Sequence, residues 1–261
     1  MKNIIKTSEA FKQTLDSLLK DKNFLTNEIF RIPAVRDAVT LDRYKNLFNS
    51  QIAKSHSDSS AKVTIEHNTD FERMFFSELS KRPDLISNVL SCLNSVRHNS
   101  ARMKVLSIGA RTEAELFSLV NAGFHLDNIE CIDLFSYTPH IKVGDIHNLE
   151  YENSSFDVVV CGWVLEFCND IPKACSELKR VTKKGGIICI GGMHHPSSTN
   201  MAEYNKHKHH EDRAWYCSIE DIKANFKVKD DEFVFKSDIE PQDMDKRGEV
   251  VAIFKNGAAN V

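Results

Sequence analysis

The segment Val105-Leu106-Ser107-Ile108-Gly109 begins the part of the chain whose residue types can do chemistry. An apolar run ends at a glycine, and Thr112 follows with Glu115 three residues later, the pattern of a strand, a tight turn and a helix opened by a capping box. Such a junction turns free backbone N–H groups toward the polar groups of a ligand. Arg111 and Ala114 stand where a GxGxxG turn carries its second and third glycines. A pyrophosphate needs bare backbone there, so this turn disfavours a nicotinamide-dependent oxidoreductase. Asp133 closes the next apolar run, 24 residues after Gly109. A carboxylate so placed offers two acceptors side by side to the hydroxyls of a ribose. The plainer reading is an aspartate that starts a turn; the glycine turn upstream moves the nucleoside reading ahead.

A second group of reactive residues lies in MHHPSSTNMAEYNKHKHHEDRAWY, with His194, His195, His207, His209 and His210 among its residues. Four readings compete. A histidine serves as a general base near neutral pH; the cluster with Lys206, Lys208 and Arg213 binds an anion; His207, His209 and Glu211 hold a metal; or the segment is a solvated loop. His194 and His195 are the better base candidates because they lie nearest a strand end. No metal site is assigned.

The elements that must position these groups are legible from periodicity. Short β-branched runs, Lys104–Ile108, Ile129–Leu134, Phe156–Cys161 and Gly186–Ile190, alternate with helical patterns, which predicts a parallel sheet covered by helices on both faces. Phe226–Phe235 and Glu249–Phe254 are expected to form a closing hairpin. Leu116, Leu119 and Val120 form the expected buried stripe of the helix after Gly109, and Gly123 ends it. Residues 1–100 read as a helical lobe or lid, and residues 101–261 as the α/β domain. In the lobe, Phe11, Leu15, Leu18 and Leu19 recur at helical spacing, as do Phe71, Phe75, Phe76 and Leu79. Pro83 opens a further helix with Leu85, Val89, Leu90 and Leu93 on its apolar face, and serine-rich Ser50–Ala61 reads as an exposed loop.

Composition narrows the partners. Lys plus Arg is 34 and Asp plus Glu is 37, a net charge of −3, which argues against a dedicated nucleic-acid binder. No apolar stretch reaches the ~20 residues of a membrane span, and MKNIIKTSEAFK lacks the apolar core of a signal peptide. Seven cysteines without a CxxC pair read as reduced thiols, and the expected location is the cytoplasm. Oligomeric state is not legible.

From Met103 to Phe254 the chain resembles the class I S-adenosylmethionine-dependent methyltransferases. VLSIGARTE is similar to their first motif, CIDL to the second and VGDIHNL to the third. SFDVVVCGWVLEF resembles the fourth strand and its loop, and ACSELKRVTKKGGIICIGG the helix, turn and fifth strand written LxExxRVLKPGG. The resemblance implies a seven-stranded sheet with an antiparallel last strand, S-adenosylmethionine as cofactor and S-adenosylhomocysteine as product. It implies Asp133 and Leu134 at the ribose, Asp145 and Ile146 flanking the adenine, and Gly109, Gly162 and Trp163 around the cofactor. Trp163 reads equally as core packing. The family's acid two residues before the first glycine is Ser107 here, so we read the contacts as redistributed: Arg111 to the cofactor carboxylate, and Glu113 or Glu115 to its ammonium. For Glu115 the capping box is the favoured role; Glu177 and Arg180 read as scaffold. The histidine-rich segment falls where acceptors are held in this fold. The expected function is methyl transfer to a small acceptor, with phosphate- or carboxylate-bearing ones included, on oxygen, in secondary metabolism or surface-glycan assembly. The alternatives are a silent methyltransferase-like binding subunit and a protein or RNA methyltransferase.

Overall fold

The structure, a computed structural model, describes residues 13, 17, 20, 28–49, 54–55, 81–194, 218–238 and 248–257. One sheet contains β1 (Val105–Ile108), β2 (Ile129–Asp133), β3 (Lys142–Val143), β4 (Phe156–Gly162), β5 (Thr182–His194), β6 (Phe233–Asp238) and β7 (Gly248–Lys255). Their order is β3-β2-β1-β4-β5-β7-β6, as a seven-stranded sheet. All pairings are parallel except those of β7 with β5 and β6. The carboxyl ends of β1, β2, β4 and β5 therefore open onto one edge.

β1 is buried at every position, as a central parallel strand covered on both faces must be. β6 alternates half-buried and exposed residues, the pattern of a sheet edge. Alternate residues of the central strands feed two cores. Val105, Cys131, Val160 and Cys189 enter one; Leu106, Ile132, Cys161 and Ile190 enter the other. The first core is closed by α1 (Pro33–Asn49), α2 (Lys81–Cys92) and α3 (Glu113–Asn121) through Tyr44, Ile86, Leu90 and Leu116. The second is closed by α4 (Ile171–Val181) and α5 (Ile219–Phe226) through Ala174, Leu178, Ile222 and Phe226.

The expected architecture is present, with differences that have physical reasons. The helix α3 is buried well beyond the stripe Leu116, Leu119 and Val120: Glu113, Ala114, Phe117 and Ser118 are buried as well. The sheet covers one side of α3 and the N-terminal elements cover the other. Phe30 stacks on Phe117 with ring centres 4.0 Å apart. Arg36, 1% exposed, donates to the Phe30 carbonyl at 2.9 Å and to Asp84 at 2.8 Å, and Asp84 also accepts from the Ser118 hydroxyl. In α2 the buried positions are Ile86, Ser87 and the expected Leu90; the expected Val89 and Leu93 are partly buried against the same core, and the expected Leu85 is exposed. The helix turns this neighbouring face toward α3 and β4. Within the expected loop Ser50–Ala61, Lys54 and Ser55 pair antiparallel with Ser136 and Phe135. The closing hairpin starts at Phe233 instead of Phe226, because Phe226 ends α5 with its ring against Phe254.

The scaffold reading of α4 is accurate. Arg180 donates to Glu177 at 2.7 Å and to the carbonyls of Leu149 and Tyr151, while Glu177 accepts from the Leu149 amide. The stripes at Phe11–Leu19 and Phe71–Leu79 lie outside the described residues. Among the described residues no helix is long and apolar enough to cross a membrane.

Candidate functional site

The turn after β1 is stitched to the end of β2: the amides of Gly109 and Ala110 both donate to the Ile132 carbonyl, at 2.8 and 3.1 Å. Gly109 has φ +72°, a conformation that L side chains rarely adopt. A Cβ there would lie 2.1 Å from Cγ2 of Val164, in the loop after β4. The glycine is thus required by the fold as well as by the turn. Gly109→Ala is expected to cost about 3 kcal/mol, adding left-handed strain to the overpacking. Chemical denaturation that finds wild-type stability in this variant would refute the assignment.

The capping box forms as expected. The Thr112 hydroxyl accepts from the Ala114 amide, and Glu115 accepts from the Thr112 amide at 3.1 Å. Burial pushes the Glu115 carboxyl up, and Arg111 offsets part of that effect. Glu113, also offered for an ammonium, is committed elsewhere. Its fully buried carboxylate takes two hydrogen bonds from Arg43 of α1, at 2.5 and 2.9 Å, and one from the Thr138 hydroxyl at 2.6 Å. Ser107 lies buried in β1 between Cys131 and Val160.

Asp133 ends β2 with its carboxyl buried and one hydrogen bond from the Phe135 amide at 3.3 Å. Desolvation raises its pKa to about 7; the hydrogen bonds from Phe135 and Leu134 and the charge of Arg111 act against the rise. Arg111, half-buried at the turn, influences Asp133, Glu115 and Tyr44 together. Leu134 is half-buried beside Asp133.

The next acid is tied to this one through the backbone. Asp133 pairs with Val143, and the Gly144 amide donates to the Asp133 carbonyl at 2.9 Å. Asp145 follows, its side chain 26% exposed, and Ile146 is buried in the core that also holds Ile108 and Ile132. Oδ1 of Asp145 accepts from the His147 amide at 2.9 Å and contacts His147 Nδ1 at 2.7 Å. The Asp170 amide donates to His147 Nε2 at 3.4 Å.

At the end of β4, Gly162 lies under Ile86 of α2. Trp163 takes φ 56°, rare for a side chain of this size, and donates its amide to the Gly191 carbonyl at 2.7 Å. The residue is 8% exposed and its ring lies against Gly191, with the Arg82 guanidinium 5.4 Å from the ring centre. The indole Nε1 is buried with no acceptor among the described residues. Core packing and a place at the sheet edge both hold for this residue. At the end of β5, His194 Nδ1 contacts Asp238 Oδ1, and Asp238 Oδ2 accepts from the Ile219 amide at 2.9 Å. His195 and the candidates at 206–213 lie outside the described residues; among the described residues no group of histidine, cysteine and acid side chains could hold a metal.

The structure thus brings Gly109, Arg111, Asp133, Asp145, Trp163 and His194 to the ends of adjacent strands, and directs Glu113 to α1. Sequence reasoning missed His147 and Asp238 as partners of Asp145 and His194. The Asp-x-His spacing was a usable signal for the first. Asp238 lies 44 residues from His194, with no local signal.

Residues 124–190 match the family described as a methyltransferase domain. Among similar curated proteins, a malonyl-[acyl-carrier protein] O-methyltransferase of Serratia marcescens is 37% identical over 49 residues, 19% of each chain. A 2-phytyl-1,4-naphtoquinone methyltransferase of Nostoc punctiforme is 32% identical over 63 residues, 24% of this chain and 27% of that one. A chloroplastic 2-methyl-6-phytyl-1,4-hydroquinone methyltransferase of Oryza sativa is 29% identical over 110 residues, 36% of this chain and 32% of that one. The chain therefore spans no more than a third of the length of these relatives. Among solved structures, the N-methyltransferase NodS of Bradyrhizobium japonicum, in complex with S-adenosylhomocysteine, has a TM-score of 0.52 at 16% identity, covering 77% of this chain and 100% of that one. With the strand order β3-β2-β1-β4-β5-β7-β6 and the likeness to NodS, the chain has the fold of the class I S-adenosylmethionine-dependent methyltransferases, and its segment 124–190 is similar to their methyltransferase domain.

Proposed function

We propose that this chain is an S-adenosylmethionine-dependent methyltransferase that acts on a small acceptor, on oxygen, with an anionic group on the acceptor. The observation that carries the cofactor assignment is Asp133: a buried carboxylate at a strand end, beside the glycine turn, answered among the described residues by backbone amides alone, those of Phe135 and Leu134. A buried carboxylate left this poor in donors calls for more, and the hydroxyls of a ribose supply them. Asp145 would take the adenine amino group, with Ile146 against the ring. Arg111 would hold the cofactor carboxylate, with Ser107, Gly109, Leu134, Gly162 and Trp163 around it; the fully engaged Glu113 no longer competes for the ammonium.

When bound, the cofactor supplies a methyl group already activated on sulfur, so the protein's task is mainly alignment. His194 is the proposed base. Asp238 holds its Nδ1, which leaves Nε2 to take the proton of an acceptor hydroxyl. The quinone named for one relative supports a small acceptor, and the O-methyltransferase name of another supports oxygen as the acceptor atom. The helices α1 and α2, packed over α3 and β4, would shape the acceptor's approach and exclude water.

Titration with S-adenosylmethionine and S-adenosylhomocysteine, by calorimetry and thermal shift with NAD as control, tests the reading. Micromolar binding of either nucleoside is expected, with about 2.7 kcal/mol of added stability at a hundred times the dissociation constant. Silence toward both would overturn it in favour of a methyltransferase-like binding subunit. On the first acceptor found, His194→Ala is expected to lower kcat at least about 100-fold. S-adenosylhomocysteine affinity should stay within twofold of wild type; an unchanged kcat would remove His194 from the reaction.

A further inference from the structure

We infer that His147 is a positioning residue for base recognition, holding Asp145 so that the site takes a 6-amino purine and rejects a 6-oxo purine. The inference rests on the proposed nucleoside site and deepens it. A backbone amide can only donate, so the Asp170 N–H at 3.4 Å makes His147 Nε2 an acceptor. The ring proton then sits on Nδ1, where Asp145 Oδ1 receives it at 2.7 Å. The same Oδ1 also takes the His147 amide at 2.9 Å. One oxygen of Asp145 is thereby saturated by two donors from a single residue, and the carboxylate is held against rotation at both.

Oδ2 takes no hydrogen bond among the described residues, and it remains a pure acceptor while the carboxylate is ionised. Its place follows from the backbone: Asp145 comes two residues after Val143, which pairs with Asp133, and the Gly144 amide is bonded to the Asp133 carbonyl. A ribose held at Asp133 thus brings its base to the neighbouring strand end. An acceptor there pairs with an exocyclic amino group. It repels a 6-keto oxygen, which would leave the carboxylate facing another acceptor. Without the His147 ring the Asp145 carboxylate is free to turn, and the preference should fade. Asp170 links this arrangement to α4, because its side chain caps that helix by accepting from the Lys173 amide at 3.0 Å.

The test compares S-adenosylhomocysteine with S-inosylhomocysteine by calorimetry. Wild-type protein is expected to favour the adenosyl compound by roughly 10- to 100-fold, the range set by a hydrogen bond to a charged group. His147→Ala should bring the ratio to within about threefold of unity, whereas His147→Asn, whose amide nitrogen takes the place of Nδ1, should retain most of it. Long-range proton–nitrogen NMR of the wild-type protein should show His147 protonated on Nδ1 alone, a reading that needs no variant to fold. Equal ratios in wild type and His147→Ala, or a proton on Nε2, would overturn the inference. Failure of wild type to bind S-adenosylhomocysteine at all would instead overturn the cofactor assignment itself.

Discussion

Asp133→Asn is expected to weaken S-adenosylhomocysteine binding by roughly 10- to 100-fold, as one good charge-assisted interaction is lost. The same change is expected to stabilise the free protein, and the two effects together identify a site built at the expense of stability. The carboxyl titrates at about 7 in the folded chain because it is buried, against about 3.9 when unfolded. Between these values the folded state binds a proton that the unfolded state lacks, so this group's contribution to stability is full below about pH 4 and is lost as pH rises through 7. Removing the carboxylate should therefore raise the melting temperature by several degrees at about pH 8 and leave it nearly unchanged at about pH 4. Binding should also depend on pH. The ribose hydroxyls favour the ionised form, so affinity should fall by up to tenfold per unit as pH drops below about 7, and this dependence should vanish in Asp133→Asn. A variant that binds normally, or that melts lower at about pH 8, would mean that Asp133 is a turn residue.

The second large effect lies away from the chemistry. Arg43→Ala should cost about 3 kcal/mol, since it leaves Glu113 fully buried without its cation. For a chain of this size that corresponds to a loss of roughly 10 °C in melting temperature. The double variant Arg43→Ala, Glu113→Gln should recover much of the loss, because the charge that needed compensation is gone and the Thr138 hydroxyl still has an acceptor. Additive losses in the cycle would show that the pair is not coupled. Glu113 is the first residue of α3, directly after the capped turn at Thr112. Through it α1 is fastened to the element that opens the proposed cofactor site, so loosening α1 should also weaken S-adenosylhomocysteine binding several-fold.

Part of this molecule was open to reading from residue order alone. The strands expected at Lys104–Ile108, Ile129–Leu134 and Phe156–Cys161, the Thr112 and Glu115 cap and the Gly109 turn are all local: each follows from neighbours within a few residues, and the strands form within one residue of those bounds at either end. Local rules suffice there because strand burial, capping and left-handed backbone are decided by residues close in sequence. The family resemblance added the order in which the pieces assemble, and the antiparallel last strand.

Tertiary structure alone decided how the charges are spent. From sequence, Glu113 was as good an ammonium ligand as any acid near the turn; it is withdrawn because Arg43, 70 residues away, folds onto it. Leu85 and Ile86 are equivalent by type, and only the approach of α2 to α3 and β4 selected Ile86 for the core. His194 and Asp238 meet across β7, and the Asp170 amide at the head of α4 settles where His147 keeps its proton. These pairings depend on which partner reaches a buried charge or an open ring nitrogen first, and desolvation makes the outcome strong once the chain is folded. Residue type along the sequence therefore determined the elements and the residues able to do chemistry, while long-range burial determined which of them remain available for it.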